Sequence, residues 1–296
     1  MKIAIAAAGG NVGSRISQNL SKSGVKIVLL GNNASSLEKL KIKNAQISIT
    51  DISNKQQVLT ATQGVDALFW LVPPVMSVSS LKQWYQKVTE SGVLAVKENK
   101  IKKVVLLSSL GAGAKDDLGT IAFAGDMEKE FDQLDADVLA LRPGYFLENF
   151  LLQAQSIFDD GTFTFTYDPE HDIPFVSTDD IGDVATKYLL DRHWSGHWKL
   201  NVMGPENITL TEAAQRISTV LGKKIVYRQS SLEEARKQFI ELGTPGTVQN
   251  ELIDLYVALG DPGGAYATPR TPEAYTPTSI ESVIERKLLL LNNDKT

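Results

Sequence analysis

Through its first 142 residues the chain repeats one unit: a short apolar run, a turn rich in glycine, aspartate or proline, and an amphipathic helix. Residues 3–6, 26–30, 47–49, 67–72, 104–107 and 138–141 are apolar almost throughout and too short for helices. Continuous apolarity at that length predicts strands buried on both faces. Between them, Val12, Ile16 and Leu20 recur at helical spacing, Ser53 with Gln56 and Ser80 with Gln83 read as helix-opening capping pairs, and Trp84 and Val88 share a face. Alternation sustained over six strands folds as a parallel sheet with right-handed crossovers and helices on both faces, an α/β architecture.

After Pro143 the rhythm changes. Residues 146–158 have a helical pattern, 161–167 alternate like a strand, and 179–190 read as a helix capped by Thr178 and Asp179. Thr209-Leu210-Thr211-Glu212 is a capping box for a helix that stops at Gly222. Asp261-Pro262-Gly263-Gly264 marks a loop, and Thr278 with Glu281 opens a last helix.

Composition excludes several function classes. Of 296 residues, 30 are Lys or Arg and 35 Asp or Glu, a formal charge of −5. That offers no footprint for direct nucleic-acid binding. The chain has no cysteine, which removes disulfide frameworks, thiolate metal sites, iron–sulfur clusters and cysteine nucleophiles together. His193 and His197 have a metal-like spacing, but Ser195 and Gly196 break the helix that would align them and no third ligand is near in sequence, so no metal site is expected. Trp194, Trp198 and the Phe69-Trp70 pair read as packing residues. The apolar start after Lys2 is too short for a secretory leader, and the run 288–291 is hemmed by Glu285, Arg286, Lys287 and Asp294. No stretch approaches the roughly 20 apolar residues of a membrane span, and the expectation is a cytoplasmic protein.

Ala7-Ala8-Gly9-Gly10-Asn11-Val12-Gly13 directly follows the first strand and opens the first helix. Small residues there let the backbone approach a pyrophosphate, whose charge meets the N–H groups and positive end of the helix. Gly10 and Gly13 fit the last two glycines of a G-x-x-G-x-x-G loop, while Ala7 holds the place of the first. A tight turn wants glycine for structural reasons alone, but the position between first strand and first helix favours dinucleotide binding. Asp51-Ile52 ends the third strand, where the carboxylate either accepts from an adenine amino group or caps the next helix; both readings stay open. After the second strand, Gly31, Asn32 and Asn33 lead into Ser35 and Ser36 with no acid to hold a ribose diol and no arginine at the usual place for a 2′-phosphate. The donors Asn32, Asn33, Ser35, Ser36 and Arg15 tip the expectation toward NADP(H) over NAD(H). Val72 and Pro73, closing the fourth strand, join the cofactor-binding set.

These segments, together with Leu106-Leu107-Ser108-Ser109, Leu141-Arg142-Pro143-Gly144-Tyr145-Phe146-Leu147-Glu148-Asn149, Val176-Ser177-Thr178-Asp179-Asp180-Ile181, Arg270-Thr271-Pro272-Glu273 and Thr276-Pro277-Thr278, resemble the NmrA-like proteins, atypical members of the short-chain dehydrogenase/reductase superfamily. The resemblance implies a Rossmann-like NAD(P)-binding domain over residues 1–147, with 174–195 returning to it. A smaller mixed α/β lobe, residues 148–173 and 196–296, would close a cleft over the nicotinamide. Ser108 and Pro143 then belong with the cofactor. Ser109, Tyr145, Phe146 and Asn149 fall in the substrate pocket, although Tyr145 and Phe146 are also open to a reading as core packing.

Ordinary short-chain reductases use a Tyr-x-x-x-Lys pair in which lysine lowers the tyrosine pKa, so that the phenol serves as general acid. None of the eight tyrosines here has lysine four residues on. By the resemblance, Ala122 and Asp126 stand at those two places, on a helix whose Glu128-Lys129-Glu130 run reads as a solvated face, and no catalytic residue is assigned. Sugar-nucleotide epimerase chemistry needs the same missing base and is set aside. Known family members divide between redox-sensing regulators and NADPH-dependent quinone oxidoreductases of the type 2 kind. The resemblance thus implies either direct hydride transfer to a quinone or similar small-molecule acceptor, or non-catalytic NADP(H) sensing through a protein partner; a homodimer is compatible with both.

Overall fold

The protein is described here by a computed structural model covering residues 1–115 and 118–293. Its strands are β1 (Lys2–Ile5), β2 (Lys26–Gly31), β3 (Ala45–Ile49), β4 (Ala67–Trp70), β5 (Lys103–Leu107), β6 (Asp137–Pro143), β7 (Tyr145–Phe146), β8 (Thr162–Phe165), β9 (Phe175–Val176), β10 (His197–Val202) and β11 (Val226–Gln229). Its helices are α1 (Asn11–Leu20), α2 (Ala34–Glu38), α3 (Lys55–Ala61), α4 (Leu81–Asn99), α5 (Thr120–Phe131), α6 (Ala154–Asp159), α7 (Thr178–Leu190), α8 (Leu210–Leu221), α9 (Leu232–Glu241), α10 (Gly246–Gly260), α11 (Ile280–Val283) and α12 (Leu289–Asn293). Seven strands form one parallel sheet in the order β3-β2-β1-β4-β5-β6-β10. This is the Rossmann-like α/β fold that the alternating pattern predicts.

Strand periodicity distributes the sheet between two cores. Ile3, Ile5, Ile27 and Leu29 meet Val12, Ile16 and Leu20 of α1 and Ile181, Ala185 and Leu189 of α7. Their neighbours Ala4, Ala6, Val28 and Leu30 point the other way, onto a core that includes Val58 of α3, Val88 of α4 and Met127 and Phe131 of α5. The expectation of burial on both faces fails at β3, where Ile47 and Ile49 are exposed. It is an edge strand, paired on one side only.

The other edge departs from the sequence reading. Residues 197–202, expected in the lobe, pair with β6 in register from His197 with Val138 to Val202 with Pro143 and complete the sheet. An edge strand needs few apolar residues, and His197, Trp198 and Lys199 are exposed, so the apolar signature is missing. Trp198 packs against Trp194, and the His197 ring lies 3.1 Å from the Ala136 carbonyl.

A third core gathers Leu147, Phe150, Ile157, Phe163, Phe175, Ile208, Leu210 and Ile284 with Leu110 and Ile121. Residues 146–158 are not one helix. Tyr145–Phe146 pairs with β9, and a 3-10 stretch (Leu147–Gln153) precedes α6. The Gln153 side chain takes both the N–H and the C=O of Thr164, at 2.7 and 3.0 Å, and these tertiary bonds override the local pattern. Gly144 sits where the chain crosses itself, since a Cβ there would lie 1.9 Å from the Pro174 carbonyl oxygen.

Caps follow the sequence in part. The Ser80 cap, the Thr209–Glu212 box and the left-handed stop at Gly222 are present. Asn54 caps α3 in place of Ser53, Ser177 caps α7 in place of Thr178, and Ser279 caps α11 in place of Thr278. In each case the expected residue sits one position from the true cap. The Ser53 and Thr278 hydroxyls donate instead to Asp51 and Asp180, at 2.8 and 2.6 Å. No helix among the described residues is long and apolar enough to cross a membrane.

Candidate functional site

Parallel pairing brings the residues predicted for the cofactor to one edge of the sheet. Residues 7–13 follow β1, Asn32 and Asn33 follow Gly31 at the end of β2, and Asp51-Ile52 follow β3. Val72-Pro73 follow β4, Ser108-Ser109 follow β5, and Pro143 ends β6. Because β1 lies between β2 and β4, the crossovers run in opposite directions on its two sides, and a crevice opens at this switch point.

The loop after β1 is shaped almost entirely by backbone. Ala6 N–H donates to Phe69 O and Ala8 N–H to Leu30 O, each at 3.0 Å, so the loop is tied to both neighbouring strands. Between them Ala7 has φ +47°, and Gly10 N–H returns to Ala7 O at 2.9 Å. Ala7 thus adopts the left-handed conformation for which glycine is usual, and holding alanine there costs about 1–2 kcal/mol. Gly13 packs hardest: a Cβ would lie 2.5 Å from Ala7 O. Gly9 is closed by Ser36, whose Oγ would lie 2.8 Å from an added Cβ. Gly10 is exposed and precedes α1; Asn11 is also exposed, and Val12 is buried. No described side chain caps α1, and its first turn holds no acid. The positive end of the helix therefore meets the crevice as bare backbone beside a glycine, a cradle that a side chain at residue 10 would fill.

Flanking side chains are more committed than their identities imply. Arg15 donates to both Asp183 oxygens at 2.6 and 2.8 Å, and so clamps α1 to α7 rather than facing a phosphate. Asn33 caps α2 by accepting from Ser36 N–H at 3.2 Å, and the Ser36 hydroxyl donates to Asn33 O. Asn32 remains exposed. Asp51 does not cap α3, which Asn54 does; its Oδ1 accepts from Ser53 N–H and Oγ–H at 2.9 and 2.8 Å in the turn before the helix, leaving Oδ2 on an exposed side chain. Ile52 and Val72 are buried, and the Pro73 carbonyl accepts from Trp84 Nε1–H at 2.8 Å.

At β5 and β6 the edge is built from side chains. Ser108 N–H donates to Leu141 O at 2.8 Å, and its hydroxyl donates to Glu128 of α5. Arg142 holds both Glu128 oxygens, Nε at 2.9 Å and a terminal nitrogen at 2.6 Å. Glu128 is only 3% exposed, so the reading of residues 128–130 as a solvated face fails at its first member. The signal was its phase: Glu128 falls four residues after Ala124 and three before Phe131, both buried. Asp126 instead faces solvent and pairs with Lys129, and Ala122 is buried.

Tyr145 and Phe146 point to different cores. The Tyr145 ring makes edge contacts with Phe165, Tyr167, Phe175 and Tyr266, centroids 5.3–6.5 Å apart, while Phe146 packs with the α1–α7 side of the sheet. Burial raises the Tyr145 hydroxyl well above the usual phenol range, Tyr256 nearby adds to this, and a hydrogen bond with Asn149 offsets part of it. The hydroxyl is a neutral hydrogen-bonding group and a poor proton donor, the reverse of a tyrosine activated by lysine. Ser109 is half-buried, its hydroxyl 3.3 Å from Leu110 O. The turn at residues 261–264 is closed by Asp261 Oδ1, which accepts from Gly263 N–H at 2.9 Å, and it leads to Ala265, packed directly on Gly111 after β5.

A glycine loop on the first strand, set at the switch point of a parallel sheet, defines the Rossmann-like class. Within that class the chain belongs to the NmrA-like family, whose model matches residues 1–292. Among curated proteins it is 24% identical to an NAD(P)H azoreductase of Xenophilus azovorans over 257 residues, 86% of this chain and 85% of that protein. Among solved structures it superposes with TM-score 0.76 and 20% identity on the NADPH-dependent quinone oxidoreductase QOR2 of Escherichia coli complexed with NADPH, covering 98% of this chain and 100% of that one. A nucleoside-diphosphate-sugar epimerase of Staphylococcus aureus superposes with TM-score 0.80 at 15% identity, over 97% and 100% of the two chains. The fold is thus shared by proteins described with different chemistries, and the site has to select among them.

Proposed function

We propose that this protein is an NAD(P)H-dependent reductase that transfers hydride to a quinone or a similar small acceptor by positioning alone. The observation that carries the reading is the cradle before α1, where Gly10, the capless first turn and the left-handed Ala7 fit a pyrophosphate. Gly10 through Gly13 would hold the pyrophosphate, Asp51 Oδ2 the adenine amino group, and Val72, Pro73, Ser108 and Pro143 the far half of the dinucleotide. When bound, that group supplies the hydride. The names of relatives, an azoreductase and a quinone oxidoreductase, support an electron-poor organic acceptor.

No acid is needed for such an acceptor. A reduced quinone is stable enough to take its proton later from water, whereas an aldehyde gives a strongly basic alkoxide that needs a donor in the transition state. The raised pKa of Tyr145 suits the first case. Ser109, Tyr145 and Asn149 would wall the acceptor pocket, whereas Phe146, turned into the α1–α7 core, would not. Cofactor preference is for NADP(H) and small: with Arg15 held by Asp183, the 2′-phosphate meets neutral donors, whose hydrogen bonds give a preference of about tenfold or less.

Continuous NADPH oxidation against a panel of quinones and aldehydes, beside calorimetric binding of all four nicotinamide dinucleotides, tests the reading. Quinone turnover with little aldehyde reduction and no steep change between about pH 6 and 8 is expected. Tight binding of dinucleotide without turnover of any acceptor would replace the enzyme with a sensor.

A further inference from the structure

The first turn of α4 is closed by a residue from far along the chain. Glu251 of α10 accepts from Ser80 Oγ–H at 2.7 Å, Leu81 N–H at 2.6 Å and Lys82 N–H at 3.2 Å, so its carboxylate sits on the positive end of α4. The same stretch of α10 meets the chain leaving two further strands. A Cβ on Gly119, just before α5, would lie 2.6 Å from Glu251 O and 2.7 Å from Leu255 N, and Leu255 packs on the core that holds Tyr145. Helix α10 therefore spans the segments that emerge from β4, β5 and β6. That is the end of the crevice which would hold the nicotinamide and the acceptor.

Helices α9 and α10 form a hairpin tied within itself. Phe239 packs on Tyr256 with ring centroids 5.8 Å apart, Arg236 donates to Asn250 at 2.8 Å, and Gln249 closes the turn on Thr244 O at 2.8 Å. Its grip on α4 is slighter: among the described residues the buried apolar contact is Leu81 against Phe239, Val248 and Leu252. The chain enters the hairpin from β11 through Ser230-Ser231 and leaves through Gly260-Asp261-Pro262-Gly263-Gly264, where His171 Nε2, 2.8 Å from Leu259 O, pins the exit. A unit set between two turns and held by a small apolar patch and one carboxylate opens at lower cost than the sheet unfolds. We infer that the α9–α10 hairpin is a lid on the acceptor end of the crevice and that Glu251 is its latch, so that acceptor enters and reduced product leaves when the carboxylate lets go of α4. This rests on the reductase reading and adds a gating step to it, with Glu251 as a positioning residue that touches neither cofactor nor acceptor.

Because the chain has no cysteine, spin labels can be confined to two chosen sites, Lys87→Cys on the exposed face of α4 and Val257→Cys on that of α10. Pulsed electron paramagnetic resonance then reads the distance between them, beside steady-state reduction of benzoquinone by NADPH. With Glu251 in place one distance is expected. Glu251→Ala should add a second, longer population, which NADP⁺ with hydroquinone should draw back to the first. The same variant should raise the KM for benzoquinone about tenfold, the scale of a lost charged hydrogen bond, while kcat holds or rises and NADPH affinity stays unchanged. Glu251→Gln, which keeps the shape and one accepting oxygen, should fall between, and it carries the test if Glu251→Ala does not fold.

An unchanged single distance in a folded Glu251 variant would overturn the latch by reducing the contact to a helix cap. A second distance that NADP⁺ with hydroquinone fails to close would overturn the lid, and a loss of kcat at unchanged KM would overturn the gate. In each of these cases benzoquinone turnover with Glu251 in place leaves the reductase reading standing. Absence of turnover with any acceptor would remove that reading, and the acceptor gate with it, whatever the distances.

Discussion

The two ends of the crevice are made of different material. At β1 the shape is set by backbone, with Gly9, Gly10, Gly13 and a left-handed Ala7 packed so closely that added atoms meet main chain or Ser36 within 3.3 Å. At β5 and β6 it is set by side chains from distant parts of the chain: Ser108 with Glu128 and Arg142, and the ring cluster centred on Tyr145. Backbone offers N–H groups and a dipole, which suit any pyrophosphate and discriminate little. Side chains offer shape and polarity, which decide what reacts. Substitutions at the first end should act as all or none, and those at the second should act by degrees.

The largest effect is expected from Gly10→Asp. The side chain would enter the cradle and set a charge against the pyrophosphate, lowering dinucleotide affinity at least about 100-fold, or roughly 3 kcal/mol. The position is exposed, so the melting curve should change little. A folded Gly10→Asp protein that binds NADPH as tightly as wild type would remove the pyrophosphate from this end and the contrast with it.

Graded behaviour should appear at Tyr145. Tyr145→Ala deletes a ring with four edge contacts and should destabilise by about 3 kcal/mol while raising the KM of the acceptor. Tyr145→Phe keeps those contacts, loses only the bond with Asn149 and should cost about 1 kcal/mol with kcat nearly unchanged. Stopped reduction in Tyr145→Phe, with the fold intact, would make the hydroxyl an acid after all.

The same division explains what the sequence disclosed. Glycine spacing is a local record of backbone geometry, so Gly10, Gly13 and the loop around them were legible in seven consecutive residues, and the six apolar runs placed six strands of the sheet. Long-range pairing leaves no such record. Arg15 looked available for a phosphate because Asp183 is 168 positions away, Glu128 looked solvated because its partner lies on β6, and β10 was hidden by the polar residues an edge strand tolerates. Tyr145 and Phe146 looked like a pair because they are adjacent, but strand geometry sends adjacent side chains to opposite faces.

A smaller effect tests how far backbone strain shapes the β1 end. Ala7→Gly relieves the left-handed penalty of about 1–2 kcal/mol but adds the flexibility of glycine, worth about 0.5–1 kcal/mol, in the unfolded chain. A net gain of about 0.5–1 kcal/mol follows, or roughly 2 °C in Tm for a chain of this length. Dinucleotide affinity should hold, because the Gly10 cradle is retained. A fall in Tm would show that the loop needs the alanine methyl and that side chains matter at this end too.

The smallest effect concerns the clamp beside that loop. Burial raises the Asp183 carboxyl, but the hydrogen bonds from Arg15 and Asn19 and the guanidinium charge outweigh it and leave the group below the usual carboxylate range. A carboxyl lowered by folding contributes stability that is fully present above its unfolded value and disappears as pH falls through the lower folded value. Both partners are more than a third exposed, so the pair is worth only about 0.5 kcal/mol after screening. Asp183→Asn should therefore lower stability slightly at neutral pH, with the difference from wild type fading below about pH 4 as the wild-type carboxyl protonates. Urea melts from pH 7 to 3 would measure the convergence. The same variant releases Arg15, and its NADPH-to-NADH affinity ratio asks whether the backbone-built end can borrow a side-chain charge. An unchanged ratio would keep the two ends distinct, whereas a rise would mean that Asp183 holds the cofactor preference down.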